Sequence, residues 1–369
     1  MIPMDDLIAA CACPSFNDEQ YEGIAEKAQG VEDWVAVAAR AEAHGMGPLL
    51  AHHLRKVGTT IDAPALTQLR LSTLRHRLAN RIRMAVLVEI LDLFGDAGIG
   101  VIVLKGGALA KLLYSEPGLR PMQDLDLLVA PGNAARAHEL LGELGFRVPS
   151  LEDHKRGFSH ELPGATLVRK GVRVAVEIHY NVFTWGHPLS LTWKDVQHPL
   201  NTFSVDGREA FALRHEQMLQ HLCHHLVTLG QPMRLIGVSD ILGYAQRYAD
   251  DIDWELVARD YPFILNTLGL LDLLVPLPPD FLRAHGLIRG TVPADVGLDY
   301  RGWPHTSFKV ARSRHQGMRR LLLDSLSAPA WWLRLHYGLG DDDSVILCRY
   351  LHHPARLAKL LFQWGMSRV

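Results

Sequence analysis

The sequence predicts an α+β protein, in which a small mixed β-sheet is flanked along the chain by helical regions. Apolar residues recur every three or four positions from about residue 17 to residue 94, three short β-like segments lie between residues 101 and 180, and helical spacing returns from about residue 210. The 369-residue chain is 48% hydrophobic, enough for two or three domains with buried cores. The predicted domains are a helical lobe, a core, a second helical domain, and a C-terminal region of irregular chain and amphipathic helices, over residues 1–95, 96–207, 208–285 and 286–369.

The composition argues against several classes of protein. The 40 acidic residues nearly balance the 38 lysines and arginines, so the net charge of −2 creates no overall field that attracts nucleic acid or anionic lipid. The four cysteines are too few and too scattered for a disulfide framework, which favours reduced thiols. Asp5 and Asp6 stand where a secretory signal would be basic, and no run of 18 apolar residues occurs, so we expect a cytoplasmic chain without a transmembrane segment.

A strand followed by a glycine turn begins the predicted core. The segment VIVLKGG at residues 101–107 combines β-branched residues with a glycine pair, and helical spacing resumes from Ala108. Glycine at such a turn lets the backbone approach a ligand closely, and the amides at a helix N-terminus favour phosphate. Gly106 and Gly107 are therefore candidate phosphate-binding residues, and Lys105 would add a positive charge.

Two aspartates lie in the second predicted strand, RPMQDLDLLV at residues 120–129. Residues i and i+2 of a strand project to the same face, so Asp124 and Asp126 point together while the neighbouring leucines point into the core. Two ionised carboxylates side by side repel each other unless a cation neutralises them, and hard divalent ions such as Mg²⁺ prefer oxygen ligands. The pair therefore predicts a metal site.

A third carboxylate, Glu177, lies on the strand with the clearest alternation. In VRVAVEIHY, residues 172–180, apolar and polar positions alternate with a period of two, so one face is apolar and the other carries Glu177. Three carboxylates on neighbouring strands predict two Mg²⁺ ions, for which Mn²⁺ could substitute. A nucleoside triphosphate would then lie with its phosphates between the glycine turn and the carboxylates. The alternative for Glu177 is an exposed strand residue facing Arg173.

The three segments resemble one known family. VLKGGALAKLLY, GLRPMQDLDLLV and VAVEIHY are similar to the bacterial uncharacterised nucleotidyltransferase family of the DNA polymerase β-like superfamily, and the resemblance spans roughly residues 70 to 275. It implies a polymerase β-like core between 96 and 207, with a substrate-side helical domain after it. It also implies Mg²⁺-dependent transfer of a nucleoside monophosphate from an NTP, with ATP the expected donor, to a hydroxyl or phosphate acceptor on a small molecule, peptide or protein.

The resemblance also implies roles for individual residues. Asp124 and Asp126 would bind the nucleotide-associated and catalytic Mg²⁺, and Glu177 would bind the catalytic ion and help to deprotonate the acceptor hydroxyl. Arg120 and Lys105 would contact phosphate. His179, two residues beyond Glu177 on the same face, would orient Glu177 or the acceptor, unless it is an ordinary hydrogen-bonded residue of the sheet.

The sequence departs from the superfamily pattern at the glycine turn. The usual turn is Gly-Ser, whereas Gly106-Gly107 is followed here by Ala108, so the hydroxyl that helps to hold a phosphate is missing. This favours, as one alternative, a regulatory protein that binds nucleotide without turnover. Five arginines between Arg70 and Arg83 suggest a second alternative, a toxin-like transferase acting on tRNA. A solvated helix face that packs against acids elsewhere explains these arginines better, so nucleic acid is not the favoured partner.

The roles of a few further residues stay open between a functional and a structural explanation. Arg120 could pair structurally with Asp124 instead of contacting substrate. Asp240 matches an acid of the family's helical domain, but a helix N-cap explains it equally well. His221 and His225 are one helical turn apart and could bind zinc, although the surrounding leucines favour a packed core helix.

Overall fold

The computed structural model describes residues 3–152, 160–183, 191–196, 200–228, 234–272, 275–287, 318–337, 339 and 343–366. The chain divides into two compact units, of which the first comprises Met1–Met218 and Arg234–Ala249 and the second comprises Leu219–Met233 and Asp250–Val369. The irregular segment predicted after residue 286 lies largely at 288–317, outside the described residues.

Helices fill the chain before the sheet, as the apolar spacing predicts. The longest, Ala63–Asp96, begins where Asp62 accepts a hydrogen bond from the Ala65 amide, and its C-terminal half buries Val86, Ile90 and Phe94. These helices are α1 Pro3–Ala10, α2 Asp18–Gln29, α3 Trp34–Ala43, α4 Gly47–Lys56 and α5 Ala63–Asp96.

In the first half of α5, the side that the apolar spacing would place in the core faces solvent instead. Leu71, Leu74 and Leu78 recur at helical spacing but are 62%, 57% and 49% exposed. The helix itself was therefore predictable from the period, whereas its buried side was not. Packing against α3 and α4 turns this leucine stripe outward.

Six strands of the described residues form one mixed sheet, in the order β3-β4-β2-β1-β6-β5. Strand β2 pairs antiparallel with β1 and parallel with β4, β1 pairs parallel with β6, and β3–β4 and β5–β6 are antiparallel pairs. The predicted α+β class is confirmed, and so are the three predicted strands, which are β1, β2 and β4. The strands are β1 Val101–Val103, β2 Asp124–Val129, β3 Ala165–Arg169, β4 Val172–His179, β5 Asn201–Val205 and β6 Arg208–Ala212.

Three strands were missed in the sequence, and two tight turns explain where they lie. Asp206 and Gly207, at φ +50° and +91°, form a hairpin turn, but the short strands on either side of it have a weak apolar pattern. Lys170 and Gly171, at φ +50° and +76°, join β3 to β4 in the same way. Each hairpin adds an edge to the sheet without changing its centre, where the acidic strands lie.

The remaining helices follow in both units. No described helix is both long and apolar enough to cross a membrane. All four cysteines are buried, and none forms a disulfide. The helices are α6 Lys105–Leu112, α7 Ala134–Leu140, α8 His215–Thr228, α9 Leu235–Arg247, α10 Trp254–Asp260, α11 Pro262–Asp272, α12 Pro279–Ala284, α13 Met318–Leu326, α14 Ala330–Tyr337, α15 Val345–Leu347 and α16 His353–Met366, with one π-helical turn at Cys348–His352.

Candidate metal and nucleotide site

The register of the central strands brings two of the predicted carboxylates side by side. In the parallel pair β2–β4, Asp126 lies opposite Glu177 and Asp124 lies opposite Ala175. Paired residues project to the same face of a sheet, so the Asp126 and Glu177 carboxylates share a face with His179, two residues further along β4. One ligand atom from each of Asp126, Glu177 and His179 lies within 4.8 Å of the others, a spacing that could hold a metal ion.

Asp126 is the centre of this cluster. Its side chain is 3% exposed, and a single oxygen, Oδ1, lies 2.8 Å from Lys105 Nζ and 3.0 Å from His179 Nε2. Burial alone would raise the pKa of Asp126, but the Lys105 ammonium and the His179 hydrogen bond hold that pKa well below its usual value. The carboxylate is therefore ionised, as a metal ligand must be.

Glu177 lies at the open side of the cluster, with its side chain 32% exposed and Oε2 3.9 Å from His179 Nε2. Burial, followed by the negative charges of Glu161, Asp126 and Asp124, raises the pKa of Glu177 to about 7. The alternative of an ordinary exposed strand residue is therefore a poor description. A bound cation would relieve this repulsion, so the residues present fit a divalent ion.

Asp124 lies at the start of β2 and is partly buried. Burial and the charge of Asp126 raise the pKa of Asp124, whereas Lys105 and Arg120 act against that rise. Its carboxylate is not part of the compact ligand set that Asp126, Glu177 and His179 form. Its role as a metal ligand stays a prediction.

The glycine turn lies against this cluster and is tightly packed. Lys105, the first residue of α6, has φ +42°, a left-handed conformation that residues other than glycine rarely adopt. Burial alone would lower the pKa of Lys105, but the neighbouring Asp126 and Asp124 raise it. Lys105 therefore carries its charge at the junction between the turn and the carboxylates, although it contacts Asp126 rather than solvent.

Arg120 makes a buried ion pair that the sequence did not predict. Its Nε and Nη2 atoms donate to both oxygens of Asp240 on α9, at 2.7 to 3.1 Å, and the Tyr114 hydroxyl donates to Asp240 Oδ1 at 2.7 Å. Asp240 is in the middle of α9, so the N-cap explanation was wrong. Arg120 therefore pairs with Asp240 and not with Asp124.

The third nitrogen of Arg120 faces the glycine turn. A Cβ built on Gly106 would collide with Arg120 Nη1 and would lie 3.2 Å from Met122 Cβ, and one built on Gly107 would lie 2.9 Å from Val103 Cγ1. Glycine is thus required at both positions by close packing. Asp240 fixes the guanidinium so that Nη1 lies beside the turn where phosphate is predicted to bind.

We expect Gly106→Ala to lower the free energy of unfolding by about 1–3 kcal/mol, because the added methyl group must displace a guanidinium that Asp240 holds in place. The matched control is Gly23→Ala in α2, where a Cβ would meet nothing within 4 Å. That change should stabilise the protein by about 0.5–1 kcal/mol. Urea denaturation of both variants measures the difference, and equal effects would contradict the packing described for the turn.

We expect Glu177→Gln to stabilise the metal-free protein at about pH 8 by about 1–3 kcal/mol, with little effect at about pH 5. The folded pKa of about 7 lies above the ordinary value of 4.5, so the wild type loses stability as the pH rises between these values. Glutamine cannot ionise and avoids this loss. Thermal unfolding in chelator at both pH values measures the effect, and an equal change at both would contradict the raised pKa.

Two residues of α5 have contacts near the site that the sequence did not predict, and one of them, Arg83, belongs to the arginine run for which a solvated face was expected but is buried. Arg83 on α5 is buried and donates to the Arg173 carbonyl at 3.3 Å, and the charge of Asp124 partly offsets the lowering of its pKa by burial. Asn80, also on α5, donates to the carbonyls of Pro117 and Arg120 at 2.7 and 2.8 Å. Helix α5 thus supports the segment that leads into β2.

Two of the exposed arginines on α5 are paired with acids, as the solvated-face explanation predicts. Arg75 pairs with Glu42, and Arg77 donates to Glu116 at 2.9 Å. Both pairs neutralise charge that an RNA partner would need.

Comparison with known proteins identifies the class to which this arrangement belongs. A family model described as uncharacterised nucleotidyltransferase matches residues 31–274, more than half of the chain. The chain therefore belongs to the uncharacterised nucleotidyltransferase family, which confirms the resemblance found in the sequence. No protein with a curated description matches it significantly.

Two solved structures show a distant likeness. The solution structure of the antibiotic-resistance factor ANT(2'')-Ia is 13% identical, over 52% of this chain and 96% of that chain, with a TM-score of 0.34. The crystal structure of an antigenic nucleotidyltransferase-like protein from Paracoccidioides brasiliensis is 16% identical, over 56% of this chain and 93% of that chain, with a TM-score of 0.35.

Proposed function

We propose that this protein transfers a nucleoside monophosphate from an NTP, with ATP the expected donor, to a hydroxyl or phosphate acceptor. The observation that carries the proposal is the register of β2 and β4, which sets the ionised Asp126 beside Glu177 and next to a glycine turn. Family membership supports the same general chemistry.

Asp126 and Glu177, with Asp124 beside them, are the residues that would hold Mg²⁺ or Mn²⁺. Their oxygen donors suit a hard divalent cation, and the raised pKa of Glu177 records a repulsion that such a cation would remove. When bound, the metal would neutralise the phosphate charge and stabilise the leaving pyrophosphate.

The protein's own groups would position the substrates. The Gly106-Gly107 turn would let the backbone approach the phosphates, and Lys105 and Arg120 Nη1 would supply positive charge beside it. Glu177 would accept the proton of the acceptor hydroxyl. The acceptor oxygen would then bond to the α-phosphorus as the bond from that phosphorus to the bridging oxygen breaks, and pyrophosphate would leave.

The test is incubation of the full chain with each α-labelled NTP, Mg²⁺ and a cell extract, followed by fractionation into small molecules, protein and RNA. The proposal expects label in the small-molecule or protein fraction, together with released pyrophosphate. Label in tRNA would instead support the toxin-like alternative. Measurable NTP binding without any turnover would support the non-catalytic regulatory alternative, which the missing serine of the glycine turn favours.

A further inference from the structure

His160 and Glu161, which the proposed transfer does not use, lie beside the end of β4. Glu161 forms an antiparallel bridge with His179, the Leu162 amide donates to the Ile178 carbonyl at 2.8 Å, and the Tyr180 amide donates to the His160 carbonyl at 2.9 Å. This backbone pairing places the Glu161 side chain on the same face as His179. The imidazole rings of His160 and His179 lie with their centroids 5.2 Å apart.

The distances among these side chains match the spacing of metal ligands. Glu161 Oε2 lies 3.4 Å from His160 Nε2 and 3.5 Å from His179 Nε2, and one ligand atom from each of the three residues lies within 4.8 Å of the others. Two ligands held at about 2.1 Å from a tetrahedral ion are about 3.4 Å apart. Both separations are close to this spacing between ligands.

The donor set determines the kind of ion. Two imidazoles and one carboxylate suit Zn²⁺ and related divalent transition metals, whereas Mg²⁺ prefers oxygen ligands alone. We propose that His160, Glu161 and His179 form a binding site for a zinc-class metal ion, which adjoins the Asp126–Glu177 cluster of the proposed transfer reaction and shares His179 with it. The site shares a face with Asp126, whose Oδ1 lies 3.0 Å from His179 Nε2.

The state of His160 agrees with this geometry. Burial, followed by the neighbouring His179 and Lys105, lowers the pKa of His160 to about 3. Its imidazole is therefore neutral near pH 7, which is the form that binds metal. No proton has to be removed from His160 before an ion binds.

The test is metal titration of the full chain after treatment with chelator, in the absence of nucleotide. Zn²⁺ binding is followed by calorimetry, and Co²⁺ is used as a visible probe of tetrahedral coordination. We expect His160→Ala and Glu161→Gln each to weaken binding at this site by at least about tenfold and to remove the Co²⁺ absorption. The exposed controls, His352→Ala and Glu143→Gln, should leave both signals unchanged.

Asp124→Asn separates this proposal from the proposed function, because Asp124 is not in the ligand set. It should abolish nucleotidyl transfer and keep Zn²⁺ binding, whereas Glu161→Gln should lose the Zn²⁺ site. Zn²⁺ binding by a wild-type protein that transfers no nucleotide would refute the proposed function alone. Zn²⁺ and Co²⁺ signals that persist in Glu161→Gln, a variant of nearly identical shape, would overturn the metal site even if His160→Ala fails to fold.

Discussion

Asp126→Asn is expected to reduce nucleotidyl transfer by at least about a thousandfold, which corresponds to about 4 kcal/mol of transition-state stabilisation. Asp126 is the most buried carboxylate of the site, and Lys105 and His179 both contact its Oδ1. Asparagine keeps the shape but removes the negative charge that the metal and the Lys105 ammonium need. The measurement is label transfer under saturating NTP, with Asp96→Asn as an exposed control that should retain wild-type activity.

Loss of activity in Asp126→Asn has one competing explanation, because the change also leaves the buried Lys105 without its partner. Glu177→Gln distinguishes the loss of a metal ligand from the loss of the Lys105 partner. It should abolish transfer while stabilising the metal-free protein at about pH 8, so lost activity and gained stability would occur in one molecule. Transfer that survives in both variants would contradict the assignment of these carboxylates to catalysis.

Asp240→Asn is expected to lower the free energy of unfolding by about 3–5 kcal/mol, the effect of leaving one member of a buried ion pair alone. Arg120 and Asp240 are only 12% and 3% exposed, and asparagine cannot accept the bidentate bond that the guanidinium makes. The charge of Arg120 would remain buried beside Tyr114. Urea denaturation, read as the shift of the midpoint, measures the effect.

An exposed pair in the same unit provides the control. Arg208 and Asp92 are 42% and 58% exposed, so Asp92→Asn should change stability by less than about 1 kcal/mol. Arg120→Lys should fail to preserve the pair, since a single ammonium cannot replace the planar fork of the guanidinium. A midpoint for Asp240→Asn that matches that of Asp92→Asn would contradict a structural role for the pair.

The carboxylates of the site were predictable because alternation along a strand is a local property. Asp124, Asp126 and Glu177 each lie in a short segment whose apolar residues fix the strand and therefore its faces. The sequence could not supply the register that sets Asp126 opposite Glu177, because register depends on how two separate strands pair. That register is the feature that brings Asp126 and Glu177 together with His179 in one compact group.

The other residues of the site could not be found because their partners are distant in the chain or their local pattern is absent. Asp240 lies 120 positions from Arg120, and nothing within α9 indicates that its acid faces an arginine. Glu161 belongs to an isolated bridge rather than a strand, so no alternation marks it. Leu71 shows the opposite error, because its helical period is real but its side chain faces solvent.

A crystal structure with Mn²⁺ and a non-hydrolysable ATP analogue would examine the carboxylate site most directly, since manganese can be located by its anomalous scattering. We predict an anomalous peak within coordination distance of both Asp126 and Glu177, with the triphosphate against the Gly106-Gly107 turn. Nucleotide bound elsewhere, or Asp126 that still contacts only Lys105 and His179 at saturating Mn²⁺, would contradict the proposed metal and nucleotide site.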